Sequence, residues 1–269
     1  MSAIRCHPLI AFFVLTYALT WGALPLGTFF ATGPLLAALI VIPITQGLAG
    51  LKELGRRMIC WRVRWYWYAL AIGLPLVVHL ITVVLNVGLG APAPSLAQFS
   101  PFSGLLLVFA VRLINPLDGP MGEEPGWRGF ALPTLQAERS PLLATLILGV
   151  LVTLWHLPLW VVPAFGASPN DILGDILGSF AVTTWYSWLF DHTGGSVLLT
   201  IVAHATEGTI QTSAFWSAGA AAAWVSLLYG IVWLAVALGL VLFDWRLWRS
   251  PAPAGATMLP AYQTEPRAR

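Results

Sequence analysis

Long apolar runs, separated by short polar or proline-rich intervals, recur from one end of this chain to the other. A helix that crosses a bilayer needs about 20 mostly apolar residues. By that measure the pattern predicts spans near residues 8–30, 33–49, 65–88, 103–117, 141–162, 171–190, 196–217 and 222–243. The expected fold class is therefore all-α, a polytopic membrane protein of about eight transmembrane helices, since only internally satisfied backbone can cross lipid without closing a barrel. The fourth run is short, and segment 118–138 after it reads as helical but semi-polar. Pro116, Pro120 and Pro125 predict a break ahead of Glu123 and Glu124, and Pro125 is acceptable only within a first helical turn. Segment 50–64 sets Leu51, Leu54, Met58 and Ile59 against basic residues. It fits an interfacial amphipathic stretch or, equally, a solvated basic loop. The first apolar run, Pro8 to Leu26, has one basic residue ahead of it and exceeds a signal-peptide core in length, so a transmembrane helix is expected there.

Composition agrees with this pattern. The chain is 58% hydrophobic and 9% charged, against about 25% charged for a soluble domain. No polar linker divides it, so residues 1–249 are expected to form a single transmembrane domain, with the Pro- and Ala-rich stretch 250–269 a disordered cytoplasmic tail. A net charge of +2 gives no reason to expect nucleic acid; the lipid bilayer is the partner that composition predicts. Cys6 and Cys60 form no metal or disulfide motif. Basic residues set the orientation: Arg5, Lys52, Arg56, Arg57, Arg62, Arg64, Arg139, Arg246, Arg249, Arg267 and Arg269 fall on one side of the predicted spans, whereas the loops near 31–33, 89–102, 163–170 and 218–221 hold no Lys or Arg. The positive-inside rule then puts both termini of a multi-pass cell-membrane protein in the cytoplasm.

Against this background the run Glu123-Glu124-Pro125-Gly126-Trp127-Arg128-Gly129 is the strongest chemical signal, three ionisable side chains within six residues. A charge at membrane depth costs about 2.5–3.5 kcal/mol on insertion scales and marks a functional site by default. Glu124 and Arg128 stand at i and i+4, the favourable order for a pair on one helical face. Glu123 points about 100° away and is free for chemistry. The alternative is that both acids simply occupy a helix N-terminus, with Asp118 or Gly119 as its cap. His156 lies in the fifth span beside Pro158, which frees the carbonyl of Leu154. His204 lies in the seventh, where Glu207, Gln211 and Thr212 add polarity. Glu123, His156 and His204 are the parts of a water-activating site. Two His and a Glu are also candidate ligands for Zn²⁺ with an open fourth position; no other cofactor is indicated.

These motifs resemble, in order, those of the CAAX protease and bacteriocin-processing family of intramembrane proteases (CPBP or Abi), which shows E-E-x-x-x-R, F-x-x-x-H and H-x-x-x-N/B over a core of about eight helices. Glu123-Glu124 to Arg128 completes the first motif, and Gly129-Phe130-Ala131-Leu132-Pro133-Thr134-Leu135-Gln136 and Trp155-His156-Leu157-Pro158 are also similar to the family. The resemblance covers about residues 100–243. It implies that Glu123, helped by His156, activates water, that His204 serves the oxyanion or metal, and that Glu124 and Arg128 are structural. Val152 stands where the second motif has Phe, and Gly208 where the third usually has Asn. Loss of one oxyanion donor typically costs about 10²–10³ in turnover, for which Thr209, Gln211 or Glu207 are candidate replacements. An intramembrane endopeptidase acting on a membrane-associated or lipidated substrate is the expectation. A non-catalytic immunity or regulatory protein on the same scaffold is the alternative, ahead of a small transporter.

Overall fold

The computed structural model describes residues 2–162, 169–216 and 224–249, so the expected tail and most of the loops near 163–170 and 218–221 lie outside the described residues. Among the described residues all regular structure is helical. A short α1 (Ser2–Cys6) precedes α2 (Pro8–Trp21), α3 (Gly33–Met58), α4 (Trp65–Gly88) and α5 (Phe102–Ile114). Next come α6 (Gly119–Gly126), a π-helical turn (Trp127–Ala131) and α7 (Leu132–Gln136). The chain continues through α8 (Pro141–Trp155), α9 (Leu157–Val161), α10 (Pro169–His192), α11 (Val197–Thr209), α12 (Val225–Phe243) and α13 (Trp245–Arg249).

Among the described residues, five stretches are long and apolar enough to cross a membrane: Pro8–Leu26, Gly33–Met58, Trp65–Gly88, Phe102–Gln136 and Val225–Phe243. The other three predicted spans are also helical, with differences that matter. Helix α8 stops at Trp155 rather than running on to 162, and α9 restarts after His156. Helix α11 has 13 residues, about 20 Å at 1.5 Å per residue against a hydrocarbon core of about 30 Å. It is too short to cross alone and instead runs among α4, α5, α6 and α10, with eight residues, including Thr200 and Thr206, buried. Segment 50–58 is helical, not a loop. It continues α3 past a kink at Gly47, whose φ of 65° suits a residue without a side chain, and buries Leu54 and Arg57.

The break expected before the Glu pair is present, since residues 115–118 separate α5 from α6. Pro125, however, sits in the second turn of α6 rather than the first. It has no amide to offer the Met121 carbonyl, and the helix passes this discontinuity by opening into the π turn that follows. On the opposite side, Gly174 and Gly178 of α10 form a small-xxx-small step against Gly230 of α12. A methyl on Gly230 would run into the Gly174 carbonyl, and backbone on both sides cannot yield cheaply. Gly230→Ala is expected to lower stability by about 1–3 kcal/mol. Thermal unfolding in detergent checks this, and an unchanged midpoint would contradict the packing.

Candidate active site

Helix α6 starts at Asp118, whose carboxylate accepts from the Gly119 amide at 2.7 Å. Arg112 of α5 pairs with Asp118 at 3.3 Å, which ties the preceding helix to this cap. The helix carries both acids inward, where Glu123 is 7% exposed and Glu124 fully buried. Their i+4 partners differ. The Trp127 indole N–H donates to Glu123 Oε2 at 3.2 Å, and Arg128 Nη1 donates to Glu124 Oε1 at 3.1 Å. Arg128 Nη2 also reaches the Thr183 carbonyl at 3.4 Å, and the guanidinium lies 5.0 Å from the centroid of the Tyr186 ring.

Glu124 does more than brace Arg128. Its Oε1 also accepts from His204 Nδ1 at 3.0 Å, linking α6 to α11. That bond fixes the ring of His204, which stacks on Tyr186 at 5.5 Å. His204 Nε2 is left facing Gly119. A Cβ on Gly119 would lie 2.9 Å from Glu123 Oε1 and 3.1 Å from His204 Nε2. The two atoms are therefore within about 6 Å of each other, the span that one bridging water covers.

His156 occupies the break between α8 and α9. Its Nδ1 donates to the Val152 carbonyl at 2.9 Å, so in a neutral ring Nε2 is the acceptor. Phe29 stacks on the imidazole at 5.9 Å, and the Trp155 carbonyl, released where α8 ends, accepts from the Trp21 indole at 3.0 Å. The residue where the resemblance leads one to expect Phe thus contributes its backbone rather than its side chain to His156.

A cavity of ≈ 210 Å³ collects these groups. Glu123, Glu124, Arg128, His156 and His204 all line it, together with Glu207, Asp175, Tyr186 and Tyr229. Gly208 and Thr209 do not. Thr209 spends its hydroxyl on the Ala205 carbonyl at 2.6 Å, and Gln211 donates to the Gly208 carbonyl at 3.4 Å. The absent side chain of Gly208 leaves room for the Arg112 guanidinium, which a Cβ there would strike. Of the residues proposed to replace the missing Asn, Glu207 alone lines the cavity, and its carboxylate accepts from Tyr229.

Sequence reasoning weighed Gly119 only as a helix cap and passed over Asp175, Tyr186 and Tyr229. Asp175 could have been found by the rule already used for Glu123, as an acid inside a predicted span. The two tyrosines carry no comparable signal among so many aromatic residues.

The zinc reading finds no support in the placement of these side chains. Among the described residues no three His, Cys, Asp or Glu groups are placed to share one ion. Nδ1 of both histidines is already committed, to Glu124 and to the Val152 carbonyl.

A search of curated protein sequences gives no significant match. Residues 101–210 match the Rce1-like family model, described as type II CAAX prenyl endopeptidase Rce1-like. The matched segment contains the Glu pair, Arg128, His156, His204 and Gly208. This segment is similar to the Rce1-like CAAX prenyl endopeptidases, in a chain built as an all-α, multi-pass membrane protein.

Proposed function

We propose that the protein is an intramembrane endopeptidase in which Glu123 activates water, hydrolysing a peptide bond in a membrane-associated or lipidated substrate. The convergence of Glu123 Oε1 and His204 Nε2 at Gly119 carries this reading. Glu123 takes a proton from water while the His156 Nε2 lone pair holds the other hydrogen. The hydroxide attacks the carbonyl carbon. His204, donating through Nδ1 to Glu124, offers a proton from Nε2 to the developing oxyanion as an imidazolium, its charge opposed by the Glu124 carboxylate. Collapse of the tetrahedral intermediate breaks the C–N bond, and the proton on Glu123 passes to the leaving amine. The products are a carboxylic acid, which then ionises to solvent, and an amine.

The arrangement makes a specific demand on Gly119. The atoms that a methyl there would displace are the ends of two side chains, so the fold tolerates it. The reacting geometry does not, because a shift of about 1 Å can cost about 10²-fold in rate. Gly119→Ala and His156→Ala are each expected to lower kcat by about 10²-fold or more while leaving expression and thermal unfolding near wild type. Full turnover in both variants would sink the proposal. Displacement of position 208 from the cavity favours one other reading, a non-catalytic immunity protein on the same scaffold. Protection against a peptide toxin that survives Glu123→Gln would favour binding over hydrolysis.

A further inference from the structure

The two oxygens of the Glu123 carboxylate face different groups, and hydrolysis needs only one of them. Oε1 is the oxygen that meets Gly119 and, across it, His204 Nε2. Oε2 accepts from the Trp127 indole N–H at 3.2 Å, and among the described residues this is the one hydrogen bond that Glu123 receives. A glutamate side chain rotates about every bond leading to its carboxylate. An acid left free here would sample orientations in which neither oxygen meets the water. A single donor on Oε2 fixes the plane of the carboxylate and leaves Oε1 open.

The indole that supplies this donor is itself immobilised. Trp127 is fully buried and begins the π turn into which α6 opens. Phe12 and Phe13 of α2 close on its ring, Phe12 edge-on at 5.6 Å and Phe13 stacked at 6.0 Å. Trp155 meets it edge-on at 5.5 Å, and the Trp155 ring in turn packs on His156 at 4.7 Å. Aromatic pairs hold preferred geometries beyond the area they bury, so the N–H has little freedom to leave Oε2. Helix α2 is fixed to the same region by the Tyr17 hydroxyl, which donates to the Leu151 carbonyl at 2.6 Å, and by the Trp21 indole on the Trp155 carbonyl. The side chains that hold the indole thus come partly from outside residues 101–210, the segment that matches the family model.

We infer that Trp127 is a positioning residue for the general base: its indole N–H holds Oε2 of Glu123 so that Oε1 is presented to the water, and α2 holds the indole. The inference rests on the endopeptidase reading, which gives Glu123 its proton to take. Trp127 touches neither water nor substrate in this role and acts through Glu123 alone. Since a shift of about 1 Å can cost about 10²-fold in rate, loss of this bond is expected to slow cleavage by about tenfold or more. Two replacements separate the bond from the packing. Trp127→Phe keeps much of the ring and loses the donor. Trp127→His keeps a donor, because the imidazole Nε2–H stands as many bonds from the backbone as the indole N–H, but on a smaller ring.

For the test, the full chain and its variants are purified in detergent micelles and mixed with solubilised membrane protein from cells that lack the chain. Mass spectrometry reads the initial rate at which new peptide termini appear. Trp127→Phe should unfold near the wild-type temperature and cleave more slowly by about tenfold or more. Trp127→His should unfold earlier than Trp127→Phe yet cleave faster, whereas a residue needed only for packing gives the reverse order. Added to Glu123→Gln, Trp127→Phe should cause no further loss, because the base it positions is gone. Wild-type cleavage by Trp127→Phe, an equal fold-loss in both backgrounds, or slower cleavage by Trp127→His than by Trp127→Phe overturns the inference. So does failure of both variants to fold, which would make the indole a packing group. Glu123→Gln at the wild-type rate removes the endopeptidase reading and this inference with it. A slow Glu123→Gln beside a fast Trp127→Phe keeps that reading and removes the positioning role alone.

Discussion

Glu123→Gln is expected to reduce peptide cleavage by about 10²–10⁴-fold, the usual contribution of a positioned general base, with little change in expression. The amide keeps the shape of the side chain and can still accept from the Trp127 indole through its carbonyl oxygen. It cannot take a proton from water. Because Glu123 is the carboxylate of the pair that has no cation bonded to it, its loss strands no buried charge. Stability should therefore hold while chemistry fails. Cleavage in reconstituted membranes, read beside thermal unfolding of the same preparation, separates the two. A variant that is folded and fully active would remove Glu123 from the mechanism.

Glu124→Ala is expected to show the opposite profile. Glu124 is fully buried and Arg128 is 2% exposed, and among the described residues their bond is the guanidinium's one ion pair. Removing the carboxylate leaves an uncompensated buried cation, which typically costs about 3–5 kcal/mol. His204 loses its Nδ1 acceptor at the same time. The single variant should be poorly expressed with a much lower unfolding midpoint. A double variant, Glu124→Leu with Arg128→Leu, is expected to recover much of the stability, because two apolar side chains can replace a buried pair. It should remain inactive, since nothing then orients His204. Wild-type stability in Glu124→Ala, or activity in the double variant, would contradict this account of the pair.

What the sequence revealed depended on the range of each interaction. The Glu124–Arg128 bond could be read from spacing because both residues lie on one turn of one helix. The break at His156 was only half visible: Pro158 signalled a disturbed backbone, but not that α8 would stop at Trp155. Contacts between distant segments left no trace. Nothing in the chain says that His204, 80 residues on, returns to Glu124, or that Tyr186 stacks on His204. Apolar runs also overstated some helices. Residues 196–217 looked long enough to span, yet α11 ends at Thr209, and Ile210 and Gln211 are extended, with the Gln211 amide held by Gln98. Hydropathy measures how a segment partitions, and it does not distinguish helix from buried extended chain.

Gly208 shows how a motif position can mislead when its surroundings are unknown. By resemblance it read as a lost oxyanion donor. In the structure the position faces the Arg112 guanidinium, and Arg112 in turn holds Asp118 at the start of α6. The oxyanion chemistry then falls on His204, in the cavity that Tyr186 also lines.

The most direct measurement compares the membrane peptidomes of cells that carry the wild-type chain and cells that carry Glu123→Gln at equal abundance. The account predicts a set of new peptide termini, present with the wild type and missing with the variant, in membrane-associated or lipidated proteins. Identical peptidomes, with both proteins folded and in the membrane, would contradict it.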